Sequence, residues 1–554
     1  MALTGSDHEQ QQTLIHPVVH LDRLSCCDSL KLSLTWFIGI VLSALWFPIA
    51  IVFLPIGFVF VQWNHAKVRR AAQRIDSIDA GKSSAERWGS IIDIFESPKL
   101  DEKPADSWCA AIIMLFVLPV ILLQVWLGYK SDHLFANFGM LQKKAEQSGK
   151  PFSSAFTCWR SAVLMPVAIK SHKNRVLAYG WERQAFGGGD YWWHNNSVAT
   201  GSYSIVDKLA RSSQRRGPFK CVPDVDPICL VFMSDTGSNE SEWAQNRWIF
   251  HEVFTDQSKS SYRDRMRQLP EKVRGDWPKD LAKSKPRIEY LGDMSVVQAL
   301  VAKSIFWMAF GIWLTDDEGD ALGKWKAVGK WCILPRAFHR AMLDAGAVEV
   351  QKQRIFSMGL VRKYKLEHVF IVINDSLKPE MRRKTLAEVC DMILYTLGFA
   401  GIGGTSNAIK AASNLLLCKG LPGVEVAEPT RENMRNLYVA NKHAFIQESC
   451  RLSPPVGLFN TKTDAAERFG ALGVCDEGTT LAGVLNLANL DPAVFPNPHK
   501  FDPARPNLCK ALTWNGQAFG SEEHAYPRIC PGRFLSVDIV TLVIDCALDL
   551  VNDA

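Results

Sequence analysis

Near the end of the chain, the run Phe519-Gly-Ser-Glu-Glu-His-Ala-Tyr-Pro-Arg528-Ile-Cys530-Pro-Gly532-Arg533 opens directly into an apolar stretch, Phe534 to Leu548. The proline and glycine keep helix away from Cys530 and let one begin just after it. A cysteine so placed presents its sulfur near a helix N-terminus, where free backbone N–H groups and the helix dipole hold negative charge. Basic residues at 528 and 533 flank it on both sides. Alone, Cys530 is one of 14 cysteines, and a buried inert thiol is the default expectation. What lies upstream decides the matter.

Three further patterns precede it in order. Trp243-Ala-Gln-Asn-Arg247 lies in an amphipathic stretch. Glu448-Ser-Cys-Arg451, within Ala444–Leu452, sets an acid and a guanidinium at i and i+3 on one helix face. The prolines of Leu452-Ser-Pro454-Pro455-Val456 then end that helix and start an extended segment. Last comes a proline-punctuated stretch from Asp491 through Phe495 and Phe501 to Arg505. Each has an ordinary reading by itself. Glu448 and Arg451 would form a solvated pair, and Trp243 and Arg247 would be the core and surface sides of one helix.

In register, with 82 residues from Glu448 to Cys530, the four patterns resemble the cytochrome P450 haem-thiolate superfamily over roughly residues 200–548. The resemblance implies a mainly α fold with a small β region and haem b as cofactor. It implies Cys530 as the axial iron ligand, since such thiolates push electron density toward O–O cleavage. It also implies that Glu448, Arg451 and Arg505 brace the cysteine pocket, and that Trp243, Arg247 and Arg528 surround the haem propionates.

The cysteine loop departs from the commonest family pattern, which has Phe seven and Gly four residues before the ligand. Here those positions hold Glu523 and Tyr526, while Trp514-Asn515-Gly516 stands further upstream before a longer insert. This is similar to the allene oxide synthase and hydroperoxide lyase branch, with Arg528 and Arg533 where that branch has lysines. The glycine-rich run Leu394 to Thr405, expected to continue as a helix through Leu417, fits the same branch. Glycines in a buried helix let a flat group approach the backbone. Ala400, Gly401, Gly403 and Gly404 would form the ceiling over the haem. In O₂-activating members the last two positions hold an acid and a threonine that deliver protons. The branch's asparagine is replaced by Ala400, and Asn407 lies about 10 Å further along a helix.

Two runs carry no Asp, Glu, Lys or Arg: residues 32–64 and 107–129. Both exceed the roughly 20 residues needed to cross a bilayer, and tryptophans sit near their ends. The expected organisation is a polar segment over 1–31, a membrane-anchor region of transmembrane helices over 32–130, and a catalytic domain over 150–554. Lys67, Arg69, Arg70 and Arg74 follow the first run and Lys130, Lys143 and Lys144 the second, which leaves topology open. An endoplasmic reticulum or plastid-type membrane, with the catalytic part in the cytosol, is expected. The chain ends 24 residues after Cys530, short of the β-hairpin that family members carry there, which leaves open a truncated gene product or a pocket wall supplied otherwise.

A net charge of +6 on 554 residues gives no nucleic-acid signal. Scattered cysteines without a Cys-x-x-Cys pair argue against a zinc site or a disulfide framework. Gly187-Gly-Gly189 reads as a flexible loop. The resemblance thus implies a membrane-bound enzyme that rearranges fatty-acid hydroperoxides without O₂ or reductase. Two alternatives stay open. One is an O₂- and NADPH-dependent monooxygenase of a lipophilic substrate, fed by a P450 reductase, with water or Thr405 relaying protons. The other is a haem-binding membrane protein without turnover.

Overall fold

The computed structural model describes residues 197–212, 242–277, 286–323, 363–381 and nearly all of 401–550, with short pieces between 37 and 48, 179 and 194, 356 and 361, and at 383–384. The first apolar run is described only in part, as exposed helical residues between Phe37 and Trp46, and the second lies outside the described residues. Among the described residues no helix is long and apolar enough to cross a membrane.

The described part is mainly helical, with one five-stranded sheet. β1 (Gly187–Gly188), β2 (Tyr191–His194) and β3 (Ser197–Thr200) form an antiparallel meander. β3 then pairs in parallel with β7 (Thr480–Val484), which pairs antiparallel with β4 (Leu458–Lys462). The sheet therefore joins residues almost 300 positions apart, an arrangement that local pattern does not encode. The glycines expected as a loop form the edge strand instead. Pairing needs only backbone groups, and glycine supplies those as well as any residue. Two short ribbons complete the β structure: β5 (Glu467–Arg468) with β6 (Val474–Cys475), and β8 (Leu512–Thr513) with β9 (Gly516–Gln517).

The helices run in order α1 (Tyr203–Arg211), α2 (Glu242–Ile249), α3 (Ser260–Asp276), α4 (Arg287–Tyr290), α5 (Met294–Phe310), α6 (Asp316–Gly323), α7 (Glu367–Ser376), α8 (Gly403–Leu416), α9 (Arg431–Ala440), α10 (Lys442–Leu452), α11 (Leu485–Ala488) and α12 (Arg533–Ala547). α5 is apolar nearly all round and correspondingly buried. Asp293 caps its start by accepting from the Ser295 amide, and Gly311 ends it in the left-handed region at φ 72°. α8 packs against α5, α10 and α12, and so lies at the centre of the helical layer.

Polar groups also enter this layer. Lys303 on α5 is 2% exposed and bonds Asp276 at 2.7 Å and Asp316 at 2.5 Å. On α6, Glu318 accepts from Lys363 at 2.8 Å, Tyr364 at 2.6 Å and the Thr315 amide and hydroxyl at 3.0 Å. Burial raises its pKa, but these hydrogen bonds outweigh it and hold the carboxyl at about 2. The folded value lies below that of an unfolded carboxylate, so the network stabilises fully above about pH 4.5 and loses its contribution as pH falls toward 2. Glu318→Gln is expected to melt roughly 1–3 °C below the parent at pH 7. The gap should close steadily in melts taken between pH 4.5 and 3; a gap independent of pH would contradict the assignment.

Candidate functional site

Glu448 and Arg451 sit on α10, whose start is capped by Asn441 accepting from the Ala444 amide. Both side chains are 0% exposed, so the solvated pair of the ordinary reading is in fact a core element. The guanidinium grips the carboxylate with both ends: Nε to Oε2 at 2.7 Å and Nη2 to Oε1 at 2.8 Å. Its remaining N–H groups reach the carbonyls of Asn489 at 2.7 Å and Pro498 at 2.9 Å, and its plane lies 5.1 Å over the Phe495 ring. Glu448 Oε1 also accepts from the Asp502 amide at 3.1 Å and faces Arg505 Nε at 3.5 Å. Arg505 in turn donates to the carbonyls of Pro496 at 2.5 Å and Lys500 at 2.9 Å. Charge-assisted bonds of this kind are the stronger ones. The proline-rich loop is thereby tied to α10 at several points.

That hold extends to the cysteine. Asn489 donates to the Leu512 carbonyl at 3.0 Å and accepts from its amide at 2.8 Å, which fixes the start of the β8–β9 hairpin. Trp514 and Asn515 make its turn at φ 47° and 69°, as a type I′ turn requires of both central residues. The Trp514 carbonyl accepts the Cys530 amide at 2.9 Å. Gly516 has no room for a side chain: an added Cβ would come within 2.7 Å of the Tyr526 ring. Tyr526 donates to Asp207 on α1 at 2.5 Å and accepts from Arg211 at 2.9 Å, so the insert is clasped to α1.

Around Cys530, Arg247 of α2 donates to the Ile529 carbonyl at 2.6 Å, and Arg533 donates to the Ala518 carbonyl at 3.1 Å and the Cys530 carbonyl at 3.2 Å. Arg528 is buried two residues before the cysteine. Burial pushes the Cys530 thiol up, while the Gly532 amide, Arg247 and Arg533 favour the thiolate. Burial lowers the Arg247 pKa and the nearby Cys530 raises it. A coordinating metal ion deprotonates a thiol outright, and these three groups then stabilise the anion. Among the described residues no cluster of three His, Cys, Asp or Glu side chains could hold a bare metal ion.

On α8, a Cβ added to Gly403 would meet nothing within 4 Å, and one on Gly404 only the Pro455 Cβ at 3.9 Å. Gly401 and Ile402 lie just before the helix, and Ala400 lies outside the described residues. Thr405 is 3% exposed, and its hydroxyl is paired with Ser536 of α12 at 2.9 Å. Asn407 donates to the Pro455 carbonyl at 3.4 Å. Trp243 lies in α2, but its side chain is outside what the structure describes. Sequence reasoning missed Asn489, Tyr526 with Asp207, and Ser536. A hydroxyl in the first turn of the apolar run Phe534 to Leu548 was the available signal for Ser536, and Asn489 had none.

No protein-family model matches the chain. Over 122 residues it is 35% identical to the cytochrome P450 monooxygenase calE of Penicillium decumbens, covering 20% of this chain and 22% of that protein. The match thus spans about a fifth of the curated relative's length. Over that stretch the chain is similar to a cytochrome P450. Among solved structures, P450BioI, in complex with hexadec-9Z-enoic acid-ligated acyl carrier protein, aligns at 16% identity and TM-score 0.49, covering 69% of this chain and 92% of that one. Substrate-free CYP150A6 of Mycobacterium marinum aligns at 16% identity and TM-score 0.46, covering 70% and 87%.

The cofactor that such a similarity would imply is haem b. The residues present fit it. A sulfur stands beside two arginines, and Gly403 and Gly404 border open space.

Proposed function

We propose that this chain is a haem-thiolate enzyme of the cytochrome P450 kind that rearranges a lipophilic hydroperoxide, with fatty-acid hydroperoxides as the substrate class. The first turn of α8 carries this reading. Gly403 and Gly404 stand where O₂-activating members hold an acid and a threonine, and the next hydroxyl along the chain, that of Thr405, is paired with Ser536. Haem bound at Cys530 would supply the chemistry of O–O cleavage.

The chain's own residues bind, orient and exclude water. Cys530 would provide the sulfur that holds the haem iron. Arg247 and Arg528, with Trp243, would be the groups for the propionates. Glu448, Arg451 and Arg505 hold the loop that carries the ligand. A hydroperoxide already contains the oxidising equivalents of its own rearrangement. Isomerisation to an epoxy alcohol, loss of water or chain cleavage therefore needs neither O₂ nor an external reductant, and no proton relay at positions 403 and 404. The uncharged runs 32–64 and 107–129 would keep this site close to a lipid phase, in an endoplasmic reticulum or plastid-type membrane with the catalytic part facing the cytosol.

A second reading, an O₂- and NADPH-dependent monooxygenase fed by a membrane reductase, is favoured by the activity in the name of the Penicillium relative. One assay separates them. Purified protein is given a polyunsaturated fatty-acid hydroperoxide under anaerobic conditions without NADPH, and substrate loss is followed. Rapid consumption is the expected result. Turnover of a lipophilic substrate only with reductase, NADPH and O₂ would replace the first reading by the second, and a haem spectrum with neither activity would leave a binding protein.

A further inference from the structure

Thr405 and Ser536 are 131 residues apart, on two helices that pack directly on each other, and each is under a tenth exposed. Each stands next to a part of the site already described. Thr405 follows Gly404 in the first turn of α8, and Ser536 lies six residues after Cys530 in the first turn of α12. Beside Ser406 and Ser413 on α8, the two helices bury mainly apolar side chains: Ala408, Ile409 and Ala412 on α8, and Ile539, Val540 and Val543 on α12. Apolar packing holds two helices together but discriminates poorly between neighbouring registers, and it loses uniqueness before it loses stability. A buried O–H···O bond is directional and short, and tolerates little sliding.

We propose that the Thr405–Ser536 hydroxyl pair fixes the register of α8 on α12, and so the spacing between the opening at Gly403–Gly404 and the loop carrying Cys530. Both are positioning residues: they act through the glycines and the cysteine. The proposal rests on the haem-thiolate reading for its consequence, but the register itself is a property of the polypeptide. The pairing also places the Thr405 hydroxyl on Ser536, so any proton that Thr405 passes on is shared with that second hydroxyl.

The test compares Thr405→Val, Ser536→Ala, the double variant and Thr405→Ser in the purified full-length protein as it carries its haem. Melting temperature, amide hydrogen exchange over residues 403–408 and haem transfer to apomyoglobin are read together. Each single variant leaves one buried hydroxyl alone and should melt below the parent, whereas the double variant removes both and should recover the parental melting temperature. The double variant should nonetheless exchange over 403–408 and release haem about fivefold faster than the parent, because stability has returned without the register. Thr405→Ser should restore all three readouts. A double variant with parental exchange and haem release would overturn the proposal. Protein purified without haem would sink the haem reading instead, and the exchange measurement would still decide the register.

Discussion

Cys530→Ala is expected to leave the protein folded and to abolish thiolate-ligated haem. The loop backbone does not depend on the sulfur. The Cys530 amide is held by the Trp514 carbonyl, the Cys530 carbonyl by Arg533, and the insert by Tyr526 on Asp207. Alanine keeps the Cβ and all these backbone bonds, so melting of the haem-free proteins should agree within about 2 °C. Haem affinity should fall by more than about a hundredfold, since losing an outer-shell partner of a metal ligand already costs ten- to a hundredfold. The carbon-monoxide difference band of a thiolate complex should vanish. Titration of haem into the parent and the variant, each freed of cofactor, measures both effects. A variant with the parent's porphyrin absorbance and carbon-monoxide signal would refute the assignment of Cys530 as ligand.

The parts of this site that the sequence made legible are those written in local punctuation. Cys530-Pro-Gly532 marks a helix start, and α12 begins at Arg533, one residue before the apolar stretch. Glu448 and Arg451 are three apart on a helix, and they do pair. Their burial was not legible. The groups that enclose them, Asn489, Pro498 and Asp502, lie 38 to 54 residues away, and no periodicity reports which loop returns to which helix. The turn of the β8–β9 hairpin shows a related limit. Asn515-Gly516 suggests a turn centred on those two residues, but the left-handed pair is Trp514 and Asn515. Gly516 is in β9, where its missing Cβ admits the Tyr526 ring. Thr405 was readable as a hydroxyl near the haem ceiling. On a helix, successive residues are rotated by about 100°, so the neighbour of Gly404 turns to a different partner, and only the packing of α12 reveals that partner as Ser536.

The buried acid–guanidinium pair should be the most sensitive point of the fold itself. Arg451→Lys keeps the charge and most of the length, yet it is expected to cost about 3–5 kcal/mol, as breaking a buried pair does. Arg451 bonds both oxygens of Glu448 and the carbonyls of Asn489 and Pro498, which lie in different directions. A lysine ammonium has three donors at one point and cannot span that set, so at least one buried acceptor is left without a partner. Replacing Glu448 by Gln in addition should not rescue the protein. The Asn489 and Pro498 carbonyls would still lack the guanidinium, and the Asp502 amide and Arg505 would lose the carboxylate. This sets the cluster apart from isolated buried pairs, whose joint replacement is often neutral. A loss of this size should lower the melting temperature by about 3–4 °C in a chain of this length. It should also loosen the hairpin that positions Cys530, because Asn489 holds Leu512. Thermal melts of Arg451→Lys and of the double variant, together with haem retention, test both claims. Near-parental melting of either variant would show that the clamp is not what holds the cysteine loop.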